Sequence, residues 1–464
     1  MNLIEITEIL NSDSNYGQLL SEIRKGKSGT QVQIIDEAVP FLTASIWKKL
    51  QVPILLVCPT PEHSRRLYEH LSAWLGNEIQ PLRFSESEIL PFERLTEDLS
   101  TAQERLRTLN HLFKNKSHPS VIVTSASALT QKTISTESFE ENSFTYSQGD
   151  KVNLEKLSRY WQQMGYSFES NVSDPGTASR RGGIVDVFPI GEEIPYRVEL
   201  WGDEIDSIRT FDPDTQRSID IVEQFSISPA KETLTASITE NEFDQLLSHV
   251  DLSQCNPEEI TRFSSEIAEL LKGSQIEELG LYSGFFNHGT LLDYFPSNGL
   301  VISYRNIDAM NSVWDVEERS NQLRMVKENR GELPMNFPTD RIPWDQMANS
   351  IQLLKNNLFL MPWGASDLDN SNTIPMPFSS PPLYKGDIET LTKDTSEFIN
   401  GGDKVITITS HHSRLKELLS NLDPSQPEAT AKIDDLNSLS IIGVDTANIG
   451  DGFVINTSKN RLTL

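Results

Sequence analysis

A chain of 464 residues is long enough for about three domains at roughly 150 residues each. Its 67 acidic against 40 basic side chains leave a net charge of −27, which argues against extended contact with a phosphate backbone and favours a protein partner. Two distant cysteines, Cys58 and Cys255, exclude a disulfide framework and a zinc spacing and fit a reducing cytoplasm; the first eleven residues hold two glutamates and read as no secretory signal, and no apolar run suggests a membrane span.

The first unit predicted is 1–139, an α/β module. A short polar helix at 2–10 precedes an alternating strand at 31–35 and a helical pattern at 39–50. The run 52–58 is almost continuously apolar, as in a parallel strand buried on both faces. Thr60 then reads as an N-cap, Pro61 as the first helical residue and Gly76 as the stop, with Leu67, Leu71 and Trp74 inward. Strands at 82–84 and 121–124 flank a helix at 101–113.

Such a sheet invites a phosphate loop, and Gly26-Lys27-Ser28 supplies the end of one. The first glycine is missing at Ser21, and the tripeptide precedes the strand, whereas a phosphate cradle needs the loop between a strand's end and its helix. After the strand come Asp36 and Glu37, two carboxylates that would repel a triphosphate, with no glycine or lysine beside them. The tripeptide therefore reads as a surface turn.

From 140 to 230 the pattern changes to α+β: a helix at 154–164, a strand holding Tyr166 and Phe168, and then a three-stranded antiparallel meander with turns at 189–195 and 202–204. In its middle strand Tyr196, Val198 and Leu200 alternate with Arg197, Glu199 and Trp201, so Arg197 and Trp201 share one face. One reading makes that face a binding surface; the other has Trp201 closing a small core and Arg197 solvated.

A second stretch of α/β character is expected over 231–345, with helices at 242–250 and 257–272 and a strand at 300–302. A linker rich in Pro, Ser, Asn and Asp fills 346–386, densest from 361. A small α/β unit over 387–464 follows, with helices at 387–399 and 413–422 and strands at 404–408, 439–443 and 453–455. His411 and His412, adjacent at a helix start, do not share a face and read as no metal pair.

Arg-Gly-Gly-Ile-Val-Asp-Val-Phe-Pro from Arg181, followed by Pro-Tyr-Arg-Val-Glu-Leu-Trp-Gly-Asp-Glu-Ile-Asp-Ser-Ile-Arg-Thr-Phe-Asp-Pro-Asp-Thr-Gln-Arg-Ser from Pro195, resembles the UvrA-binding domain shared by UvrB and the bacterial transcription-repair coupling factors. The Phe-Asp-Pro-Asp-Thr-Gln-Arg-Ser ending looks like the coupling factors, and Thr-Leu-Leu-Asp-Tyr-Phe-Pro at 290–296 resembles their return to the first domain. The resemblance implies an α/β fold: a degenerate P-loop-type parallel sheet, split in sequence, with an inserted α+β UvrA-binding domain and a small C-terminal α/β domain. It also implies UvrA as partner, with Arg181, Arg197 and Trp201 as contact residues whose replacement by alanine weakens binding by roughly 2 kcal/mol without altering the melting temperature. RNA polymerase and the ATP-driven motor belong to the family's further length. Where UvrB has acidic residues serving metal-bound ATP, this chain has Ser303-Tyr304-Arg305, so Asp36, Glu37, Ser303 and Tyr304 mark a degenerate nucleotide site. No catalytic residue, metal or cofactor and little direct DNA binding are expected. The rival reading is an ATP-dependent, damaged-DNA-binding UvrB-like subunit.

Overall fold

In the computed structural model, residues 3–116, 118–235, 240–273, 276, 278–362, 373–382, 384, 387–409, 439–443, 450–457 and 461–463 are described. The central element is a seven-stranded sheet in the order Thr373–Pro375, Thr30–Gln33, Asn357–Met361, Leu300–Tyr304, Ile54–Cys58, Val121–Ser125, Leu82–Phe84, with every neighbouring pair parallel. Its middle strands, Ile-Leu-Leu-Val-Cys, Val-Ile-Val-Thr-Ser and Leu-Val-Ile-Ser-Tyr, are buried at every position, because parallel strands covered by helices on both faces have no solvent side.

On one face Leu56, Val123 and Ile302 pack with Phe41, Leu71 and Trp74; on the other Leu55, Ile122 and Val301 pack with Leu109, Val313 and Met347. The helix Pro61–Leu75 begins and ends as the sequence requires: Thr60 accepts from the His63 amide, and Gly76 closes it at φ 56°. The N-terminal segment differs from its expected polar character. Leu3–Ser12 is a 3-10 helix that buries Leu3, Ile4, Ile6, Ile9 and Leu10, and an α-helix, Ser14–Arg24, follows with Asp13 as its cap. The apolar residues cover more than one face, so their spacing gave no clear amphipathic stripe.

The expected meander is present as Ile184–Val187, Tyr196–Trp201 and Glu204–Phe211, inside a larger six-stranded sheet completed by Ser218–Val222 on one side and by Thr177–Arg181 and Ser167–Phe168 on the other. The helix Leu154–Gln163 lays Leu157 and Trp161 on the core face, against Val185, Val198 and Ile208. A two-stranded ribbon, Phe144–Ser147 with Gln224–Ile227, pairs the chain entering this unit with the chain leaving it.

The stretch 231–345 divides between a helical core of its own and the main sheet. Helices Glu240–Leu247 and Pro257–Leu271 build a separate core of Phe263, Leu270, Tyr282, Phe285 and Phe337, while its strand Leu300–Tyr304 belongs to the main sheet. Arg94 ties this part to the main body through Glu259 at 2.7 Å, Glu266 at 2.9 Å and Glu278 at 3.1 Å. The long helix Asn306–Asn329 was not expected; its exposed surface mixes charged, amide and apolar side chains, and only Ala309, Val313, Val316 and Ser320 are buried. Part of the span read as a linker is folded: Asn357–Met361 and Thr373–Pro375 join the main sheet, and Phe378–Ser379 joins the last one. Short strands among Pro and Ser carry a weak sequence pattern and gain their hydrogen bonds only from distant partners.

The last sheet runs Phe378–Ser379, Val454–Asn456, Arg461–Thr463, Lys404–Thr409, Leu439–Gly443, and Phe378 and Phe453 pack against Phe41. The expected helix at 413–422 and the pair at 411–412 lie outside the described residues. Trp161 is fully buried beneath the six-stranded sheet, so Trp161→Ala is expected to cost about 3–5 kcal/mol in urea unfolding, read by circular dichroism and intrinsic fluorescence.

Candidate functional site: the solvent face of the six-stranded sheet

Register decides which side chains share the open face. Arg181 pairs with Ile184, Ile184 with Glu199, Asp186 with Arg197, Arg197 with Arg209, and Arg209 with Ile221. Opposed residues of antiparallel strands point the same way, and Tyr196, Val198 and Leu200 fill the core from the other side. Arg181, Arg197 and Trp201 are therefore brought onto one face, away from the Leu154–Gln163 helix.

Two glycine turns end the hairpins at the same edge. Gly182 at φ 63° follows Arg181, and Gly202 at φ 67° follows Trp201, both in the left-handed region that favours glycine. Trp201 is 84% exposed, an extreme value for the largest apolar side chain, so the reading in which it closes a small core is excluded. Arg181 is exposed as well, and its guanidinium donates to the carbonyl of Ser170 and to Asn171 Oδ1 at 2.7 Å.

Arg197 is neither solvated nor free. It grips Asp186 with Nε at 2.8 Å and Nη2 at 2.9 Å, donates through Nη1 to the Gln216 carbonyl at 3.2 Å, and lies 4.7 Å over the Phe211 ring. Asp186 is buried, so the pair is structural as well as superficial. Sequence reasoning missed the apolar part of this face: Ile184, Ile219 and Ile221 are all exposed, Ile221 by 73%. Ser-Ile-Asp-Ile-Val at 218–222 alternates as a core-facing strand would, but here the isoleucines face solvent.

The predicted degenerate nucleotide residues gather at the carboxyl edge of the main sheet. Thr30–Gln33 leads into a 3-10 turn at Asp36–Ala38, with no glycine, and Glu37 sits in that turn. Arg305, at φ 51°, bonds both Asp36 oxygens, through Nε at 3.3 Å and through a closer Nη2 contact, while Nη1 reaches Asp308 at 3.0 Å. Tyr304 Oη accepts from Arg305 Nε at 3.1 Å, and Ser303 and Tyr304 are buried. Burial pushes the Tyr304 phenol up and the His63 imidazole down, so both are neutral at pH 7. The guanidinium of Arg305 thus pairs with Asp36 across this edge of the sheet. Among the described residues no three His, Cys, Asp or Glu side chains are grouped to hold a metal ion.

The Asp186 contact revises one expectation about Arg197. Arg197→Ala leaves a buried carboxylate without its counter-ion and is expected to lower stability by about 2–3 kcal/mol, whereas Trp201→Ala and Arg181→Ala stay within about 0.5 kcal/mol of the parent. Thermal and urea melts of the three variants check this ordering.

Residues 144–232 match the family described as the UvrB interaction domain. Among similar proteins, a transcription-repair-coupling factor of Myxococcus xanthus is 26% identical over 355 residues, covering 73% of this chain and 29% of the relative. That of Escherichia coli strain K12 is 24% identical over 340 residues, covering 72% and 28%. That of Staphylococcus haemolyticus is 21% identical over 471 residues, covering 97% of this chain and 38% of the relative. The chain spans less than two thirds of the length of each. The open face of the six-stranded sheet thus lies within a UvrB interaction domain match, in a chain similar over most of its length to the transcription-repair-coupling factors.

Proposed function

We propose that this chain is the recruitment part of a transcription-repair coupling factor and that it docks UvrA through the open face of the six-stranded sheet. The observation that carries this reading is Trp201, 84% exposed on the same face as Arg181 and the exposed Ile184, inside the residues that match the interaction domain. Tryptophan and arginine dominate interface energetics when a partner covers them, through large apolar burial and bidentate pairing with carboxylates. Arg197 contributes by holding the middle strand against Asp186 and by presenting the outer edge of its guanidinium. Contact with RNA polymerase and ATP-driven translocation fall to the rest of the length seen in the relatives.

The rival function, an ATP-dependent damaged-DNA-binding subunit, is disfavoured by the Asp36–Arg305 ion pair in the crevice where a nucleotide would sit and by the net charge of −27. Titration with magnesium-ATP is accordingly expected to give no heat. In gel shifts at about 150 mM salt, duplex DNA stays unbound.

Calorimetry with purified UvrA tests the docking surface. Trp201→Ala is expected to weaken binding by roughly 2 kcal/mol at any ionic strength, and the loss in Arg181→Ala shrinks as salt screens its charge. Binding by both variants equal to that of the parent chain would remove the face from consideration.

A further inference from the structure

Where the chain leaves the interaction domain, a cavity of about 70 Å3 lies among segments 87–105 and 131–132 of the sheet body, residues 232–233, and the 280–287 and 338–340 stretches of the helical part. That volume holds a few water-sized groups. Its wall carries Glu93, Glu97, Glu232 and Asp340 against two cations, Arg105 and Lys132.

Both cations are already engaged. Arg105 grips Glu232 through Nε at 2.5 Å and Nη2 at 2.9 Å, and its Nη1 donates to the Ser85 carbonyl at 2.9 Å and to Gln131 Oε1 at 3.0 Å. Thr133 Oγ1 donates to the same Glu232 carboxylate at 2.5 Å, and Lys132 Nζ donates to the Thr339 carbonyl at 2.9 Å.

What remains are acceptors. Asp340 Oδ1 and Asn287 Oδ1 are sealed from solvent with no hydrogen-bond partner, and Asn287 is only 4% exposed. Its amide nitrogen donates to Thr233 Oγ1 at 3.3 Å, which leaves the oxygen as the unmatched atom. Glu97 lines the cavity from an exposed position; burial first, and Glu232 and Asp340 beside it, push its carboxyl up to about 7, with Arg105 and a hydrogen bond from Ser87 opposing. Burial raises the Asp340 carboxyl in the same direction, with Arg341, Lys132 and Arg105 opposing.

Orphaned buried acceptors in a wall lined by four acidic and two basic side chains call for a cation that brings N–H donors. A metal is the poorer match, since no cluster of three ligating side chains occurs among the described residues. We propose that this cavity binds a small organic cation of the primary ammonium or guanidinium type, its N–H groups shared by Asp340, Asn287 and Glu97. A free alkylamine and a partner's lysine or arginine offer the same chemistry. The proposal is independent of UvrA docking.

The test uses the whole chain at constant ionic strength, titrated with methylammonium, putrescine and Nα-acetyl-lysine amide in calorimetry and thermal melts. Methylammonium and putrescine are expected to bind saturably and raise the melting temperature, while tetramethylammonium, which has no N–H, does neither. Comparable binding of the lysine amide identifies a partner's side chain as a source; its exclusion identifies a free amine. Affinity rises between about pH 6 and pH 8 as Glu97 ionises, because the carboxylate form attracts the cation. Glu97→Gln flattens that rise. Asp340→Asn weakens binding roughly tenfold, as loss of one charge-assisted bond does, and Asn287→Ala serves if that variant does not fold. Equal effects from tetramethylammonium or potassium chloride, or undiminished amine binding in both Glu97→Gln and the Asp340 or Asn287 variant, would overturn the proposal, since any bound amine would then sit outside the cavity.

Discussion

Burial of the parallel sheet on both faces is the constraint from which the rest of the architecture follows. Parallel strands cannot be joined by tight turns, so each must be reached by a crossover, and helices cover both sides. The centre of this sheet pairs Ile54–Cys58 with Leu300–Tyr304, strands separated by the whole interaction domain and most of the helical part. Everything inserted between them must return the chain to one edge. The Phe144–Ser147 ribbon with Gln224–Ile227, and the grip of Arg105 on Glu232 just beyond it, bring entry and exit together. The inserted sheet can then face solvent without disturbing the layer it interrupts.

That freedom shapes the open face. A sheet covered by one helix on its core side has a second side that need not be polar, and here Ile184, Trp201, Ile219 and Ile221 occupy it beside arginines. Arg197 and Trp201 look equivalent by alternation but differ physically. Arg197 forms part of the framework, neutralising a buried Asp186 and stacking on Phe211, whereas Trp201 beyond it at the hairpin end is available to whatever approaches.

A different solution is seen at the carboxyl edge of the parallel sheet, the place where α/β folds ordinarily admit ligands. Asp36 follows the strand where glycines would let a phosphate come close, and Arg305 reaches across from the end of Leu300–Tyr304 to neutralise it. The pair satisfies two charges that would otherwise be stranded at a sheet edge.

Much of this was legible in the sequence because it depends on neighbours in the chain. The uninterrupted apolar runs at 54–58 and 121–123, the Thr60 cap with Pro61 and Gly76, and the alternation at 196–201 each state local geometry directly. The placement of Arg197 and Trp201 on one face follows from that period of two, whereas Arg181 joins them through the register of its own strand. What only the tertiary structure decided involves partners far away in sequence. These are the order of the seven strands, the folding of Asn357–Met361 and Thr373–Pro375 out of a stretch that reads as linker, the outward turn of the isoleucines at 219 and 221, and the ion pairs of Arg197 with Asp186 and Arg305 with Asp36. Hydrophobic period gives a strand two faces but does not say which one another layer will cover, and charge in the sequence does not say which opposite charge will be within reach. Both are set by register and packing.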